Sequence, residues 1–160
     1  MNTFMKGAAV VLGAFLVHAA LQQISAPALI GMNVFAVAVI VFGLIKGETA
    51  GALVGMTCGL LVDSFSLGIF GLSGVTYTVT GFLSATISKK IHVLAFGRLV
   101  AFMGLMGVVN LGLWTMLSSI FLPGGLPWKG GLLLIQPLIT AVLGTCVVLA
   151  YRRLKARHEK

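Results

Sequence analysis

The sequence predicts an all-α fold, a polytopic transmembrane helical bundle of six spans with short loops and both termini cytoplasmic. Three observations predict it. Apolar runs close to spanning length recur along the whole chain, charged residues sit at the ends of those runs, and nearly all the basic ones fall in alternate connections. Of the 160 residues 59% are hydrophobic and 9% charged, and mean hydropathy is +1.11. Soluble domains carry about 25% charged and about 45–50% apolar residues, so a soluble domain is excluded. The length suits a single domain over residues 1–160, with no room for a separate soluble one. A net charge of +8 does not point to nucleic acid, which would need a basic face interleaved with aromatics on a soluble surface.

The expected spans are residues 7–24, 29–45, 47–62, 71–87, 99–122 and 131–150, followed by a basic tail over 151–160. The first follows Lys6 and ends before Ser25-Ala26-Pro27-Ala28, which reads as an outer turn. A signal peptide cleaved there is the competing reading, and it would leave five spans in the same orientation. The second span ends at Lys46, and the third stops at Asp63, where a Ser- and Gly-containing segment, 63–70, begins. Ser73 is placed to cap the fourth span, which closes on Lys89 and Lys90. The fifth follows Arg98 and ends at Pro123-Gly124-Gly125, and the sixth runs into Tyr151 and the tail. With the N-terminus inside, the inner segments hold Lys6, Lys46, Lys89, Lys90, Arg98, Arg152, Arg153, Lys155, Arg157 and Lys160, whereas the outer ones hold Lys129 alone. That bias is what the positive-inside rule requires. Trp128 and Tyr151 fall where interfacial aromatics are expected.

Gly47, Gly51, Gly55 and Gly59 recur every four residues and are followed by Asp63. On a helix successive members are displaced by roughly 40° around the axis, giving a gently winding stripe. Small-xxx-small stripes let a second backbone approach closely where lipid offers no hydrophobic drive. The expectation is packing against another helix of the same bundle, the alternative being the span of a partner protein. Asp63 is expected to cap backbone N–H groups and organise the following loop with Ser66, Gly68, Gly71 and Ser73. An ionisable residue near membrane depth is otherwise a functional candidate.

Gly71-Leu72-Ser73-Gly74 matches the G-x-S-G string of rhomboid proteases, but their chemistry needs a histidine on a later helix, and the last two spans contain none. His18, Asn110 and Gln136 are polar residues within spans and lack ligand-like spacing, so no metal or cofactor is expected. Interhelical hydrogen bonding is their expected role. Cys58 and Cys146 lie in apolar runs and should pack as small hydrophobes. The basic tail should hold topology and touch anionic lipid. No catalytic constellation is expected, and the chain is read as non-enzymatic.

With these residues in view, the chain resembles the MreD family of multi-pass membrane proteins. The likeness rests on the overall plan and on residues 55–73, where Gly55-x-x-x-Gly59-Leu60-Leu61-x-Asp63 is followed by Ser64-Phe65-Ser66-Leu67-Gly68-Ile69-Phe70-Gly71-Leu72-Ser73. Leu67 stands where the family commonly has glycine and Ile69 where proline is frequent. The resemblance implies a non-enzymatic scaffold in the bacterial inner membrane that binds MreC and helps maintain cell shape. It implies an elongasome shared with the MreB filament, RodA and a class B penicillin-binding protein in peptidoglycan synthesis. The six-span plan is also similar to substrate-capturing subunits of energy-coupling-factor-type vitamin transporters, which supplies the alternative function. Such a subunit would need an outward-facing polar pocket.

Overall fold

A computed structural model of the chain describes residues 3–24, 33–65, 70–91, 93, 95–121 and 132–158. All regular structure among them is helical: α1 (Thr3–Ile24), α2 (Val34–Lys46), α3 (Glu48–Phe65), α4 (Leu72–Lys90), α5 (Phe96–Phe121) and α6 (Leu132–His158). Three segments, Thr3–Leu21, Phe96–Phe121 and Ile135–Arg157, are long and apolar enough to cross a membrane. Residues 25–32, 66–69 and 122–131 lie outside the described residues, as does His92. With them lie the expected turn at 25–28, the start of the second span at 29–32, most of the 63–70 connection including Ser66 and Gly68, and the turn carrying Trp128 and Lys129.

The short α2 is the hub and touches all five other helices. Its sequence is apolar on every side, which suits a helix buried all round. Val37, Ile40 and Val41 face a core shared with Leu99, Met103 and Met106 of α5 and Ala141 and Val148 of α6. Phe35, Ala36, Val39 and Phe42 face a second core with Ala14 of α1, Val54 and Cys58 of α3 and Tyr77 of α4. One helix thus joins two packed halves. At its start the Asn33 side chain accepts the Ala36 N–H at 3.0 Å and the Tyr77 hydroxyl at 2.8 Å, so one amide oxygen caps α2 and ties it to α4.

Boundaries differ from the sequence expectation at several ends: α3 continues through Asp63 and Ser64 to Phe65, three residues expected in the following loop, and two further differences have plain physical reasons. Gly47, expected within the third span, is the C-cap of α2 at φ 96°, and its N–H donates to the Gly43 carbonyl. That positive φ favours glycine, and it lets α2 turn into α3 with one intervening residue. The segment after residue 150, expected as a tail, continues α6 as regular helix through His158. Its 27 residues would measure about 40 Å, longer than the roughly 30 Å of hydrocarbon, so one end projects beyond it.

Consecutive helices run antiparallel wherever contacts fix their sense. Gly7 of α1 lies near Phe42, late in α2, and the His18 ring lies 5.1 Å from that of Phe35, early in α2. Gly107 packs on Pro137 and Gly144 on Met103, which sets α5 against α6.

Candidate functional site

The closest backbone contact lies along the α3–α4 hairpin. A Cβ built on Gly51 would stand 2.6 Å from the Gly81 carbonyl oxygen and 2.8 Å from the Gly43 Cα. One on Gly55 would collide with the Tyr77 carbonyl, and one on Gly59 with the Gly74 Cα and the Ser73 carbonyl. Real Cβ atoms do not occupy such space, so these three positions exist as glycine because backbone meets backbone there. The stripe is occupied from within the chain. Gly47 is not part of it: a Cβ there would meet nothing within 4 Å, and the residue serves the turn instead.

Two glycines absent from the expectation complete the contact. A Cβ on Gly81 would collide with the Gly51 carbonyl, and one on Gly43 would come within 2.5 Å of the Gly81 carbonyl oxygen. The backbones of α2, α3 and α4 therefore converge at Gly43, Gly51 and Gly81. The signal for Gly43 was in the sequence, because the four-residue spacing extends back to it. Gly47 breaks the helix in the middle of that run, so the glycines on either side fold against each other.

Beyond the stripe, α3 reaches Asp63, a carboxylate only 7% exposed. Its Oδ2 accepts the backbone N–H groups of Gly71 at 2.9 Å and Gly74 at 3.2 Å, and its Oδ1 accepts that of Ser73 at 3.2 Å. These are the orphan donors at the start of α4, which carry the positive end of its dipole. Ser73 is not the cap residue. Gly71 holds that position at φ 97° with no side chain to offer, and an acceptor from the preceding helix takes the serine's expected role. The sequence thus supplies a cap across a loop rather than within it.

At the other end of the hairpin Glu48 Oε1 accepts from Lys89 Nζ at 3.1 Å and from the Thr86 hydroxyl at 3.2 Å. This pair is partly exposed and adds little energy, but it fixes which ends of α3 and α4 lie together. Several other polar side chains bond to their own helix, and one bonds between helices. Thr76, Thr78 and Thr80 donate to carbonyls four residues earlier, and Asn110 donates to Thr80 Oγ1 at 3.2 Å. His18 lies against Phe35. Gln136 is half-buried. Among the described residues no three His, Cys, Asp or Glu side chains converge on a point, and both cysteines are free.

Together these features define an all-α protein with three helices long and apolar enough to cross a membrane and a hairpin welded by backbone contact. No family model, curated protein or solved structure matches the chain.

Proposed function

We propose that the chain crosses the bacterial inner membrane six times with both termini cytoplasmic and acts there as a non-enzymatic scaffold of the cell-wall elongation complex. In this reading it binds MreC, within an assembly that includes MreB, RodA and a class B penicillin-binding protein, and so maintains rod shape. The observation that carries the proposal is the Asp63 cap on the glycine interlock. The MreD-like residues 55–73 include Gly55, Gly59, Asp63, Gly71 and Ser73, whose missing side chains, carboxylate and backbone N–H groups take part in locking α3 to α4. A segment spent on rigidity suits a protein that works by holding partners in register. Large apolar side chains such as Leu105, Val108, Leu138 and Val142 are exposed on α5 and α6 and offer intramembrane surface for the single span of MreC.

Six crossings are compatible with helices α2 to α4 because their polar groups are closed internally. The hydroxyls of α4 bond to the carbonyls of their own helix, so membrane depth leaves few of them without a partner. The topology is tested by single cysteines in a variant lacking Cys58 and Cys146. A cysteine at Gly125 should react with an impermeant reagent from outside and one at Lys155 from the cytoplasm only, and the opposite pattern at either site would sink the six-span reading.

Function is tested by depletion and by crosslinkers placed along α5 and α6. Cells losing the protein should round up while the purified wall-synthesising enzymes keep their activity, and the crosslinkers should capture MreC. A depleted strain that stays rod-shaped and fails to take up a vitamin would replace this reading with the transporter subunit. The cavity between α1 and α3 is lined by none of His18, Asn110 and Gln136, the residues that reading needs.

A further inference from the structure

Between α1 and α3 runs an apolar groove of about 490 Å³, walled by Gly7 and Ala8 on one side and Ala50, Leu53 and Thr57 on the other, with Phe42 among its lining. The short side chains of Gly7, Ala8 and Ala50 leave the space between the two helices unfilled here. Further along they close: Ala14 is buried, and the Phe15 and Phe65 rings stand 5.5 Å apart. The groove is therefore bounded at one end and begins at the N-terminal ends of both helices.

From this we infer that the groove binds one acyl chain of an anionic phospholipid of the leaflet at that end, with the lipid's phosphate near Lys6 and Lys46. Depth decides against a partner helix. The walls cover residues 3–12 of α1 and 49–57 of α3, about 12–14 Å along the axes, close to half of the roughly 30 Å hydrocarbon. A crossing helix would need the full thickness, whereas an acyl chain needs one leaflet. Charge selects the lipid. Lys6 adjoins Gly7 on the wall, and Lys46 ends α2 three residues before Thr49. Lys89, at the same end, is paired with Glu48, while neither Lys6 nor Lys46 has an ion-pair partner among the described residues. Two helix N-termini, those of α1 and α3, add their dipoles to the same mouth. The proposal rests on the reading above that α1 and α3 cross the membrane, and takes from it the name of the leaflet, cytoplasmic.

The test is native mass spectrometry of the full chain after reconstitution in vesicles of phosphatidylcholine containing phosphatidylglycerol. One phosphatidylglycerol should remain bound in preference to phosphatidylcholine. Ala8→Trp, which fills the groove from an exposed helix position, should abolish retention. Lys6→Gln should weaken it roughly fivefold, the contribution of one lysine beside an anionic surface. Val75→Trp, at an exposed position on α4 away from the groove, should leave it unchanged. Equal retention of the two lipids, full retention in Ala8→Trp, or equal loss in Val75→Trp would overturn the inference. So would a crosslinker at Ala8 that captures a protein span in cells. Cysteine labelling that reverses the topology would move the site to the other leaflet without changing these outcomes, so the two proposals fail separately.

Discussion

Gly59→Leu is expected to yield little monodisperse protein in gentle detergent, while Leu53→Ala purifies like the parent. A side chain at residue 59 has nowhere to go, since its first carbon already collides with the Gly74 Cα and the Ser73 carbonyl, and backbone cannot rotate away as a side chain can. Overpacking a close-packed contact costs about 1–3 kcal/mol and sometimes more, and here it pries apart the hairpin on which Asp63 depends. Gly55→Leu should behave alike, because the Tyr77 carbonyl stands in its way. Leu53 is 63% exposed, and truncating an exposed side chain removes few contacts, a cost of about 0.5 kcal/mol or less. Thermal midpoint and recovery of the folded fraction read the contrast. Equal behaviour of the three variants would mean that α3 and α4 do not touch along this stripe.

The helices were legible in the sequence because their signals are local: apolar runs, the Ser- and Gly-containing segment before Gly71, and basic residues at run ends, although α3 continues past the expected break at Asp63 to Phe65. So was the stripe, because a spacing of four is a helical neighbour relation that needs no tertiary information. What was not legible is where the stripe stops. Gly47 has the right spacing, and only its backbone angle, set by the turn between α2 and α3, removes it from the contact. The partners of the stripe were hidden for a similar reason. Gly81 has no glycine four residues away on either side, and its role follows from being opposite Gly51, which is a fact of the fold. The same holds for Asn33 and Tyr77, which are 44 residues apart and share a hydrogen bond at 2.8 Å. Asp63 shows the limit from the other side. A carboxylate before a Ser- and Gly-containing segment reads as a cap, yet the identity of the donors depends on how the chain returns, and Ser73, the obvious cap by sequence, donates its N–H instead of accepting one.

Asp63→Leu is expected to cost the protein most of its function, and Asp63→Asn to fall between that variant and the parent. The carboxylate uses both oxygens on three backbone donors, those of Gly71, Ser73 and Gly74, in a site with almost no access to solvent. Leucine would leave all three buried without an acceptor, at about 1–3 kcal/mol for each unsatisfied group, and would remove the negative charge from the start of the α4 dipole. An asparagine amide keeps one oxygen with two lone pairs, so it can still accept two of the three bonds, but its NH₂ must then face the third donor. The order parent, Asn, Leu should therefore appear both in thermal midpoint and in the ability to restore rod shape to a depleted strain. Under the scaffold role proposed above, the Leu variant should also lose recovery of MreC on purification, in step with its loss of folded protein. An Asn variant as defective as the Leu variant would show that the negative charge itself is required and would favour an ion-pairing or proton-carrying role for Asp63. An Asn variant fully stable yet unable to restore shape would separate the carboxylate from the fold and place it in contact with a partner.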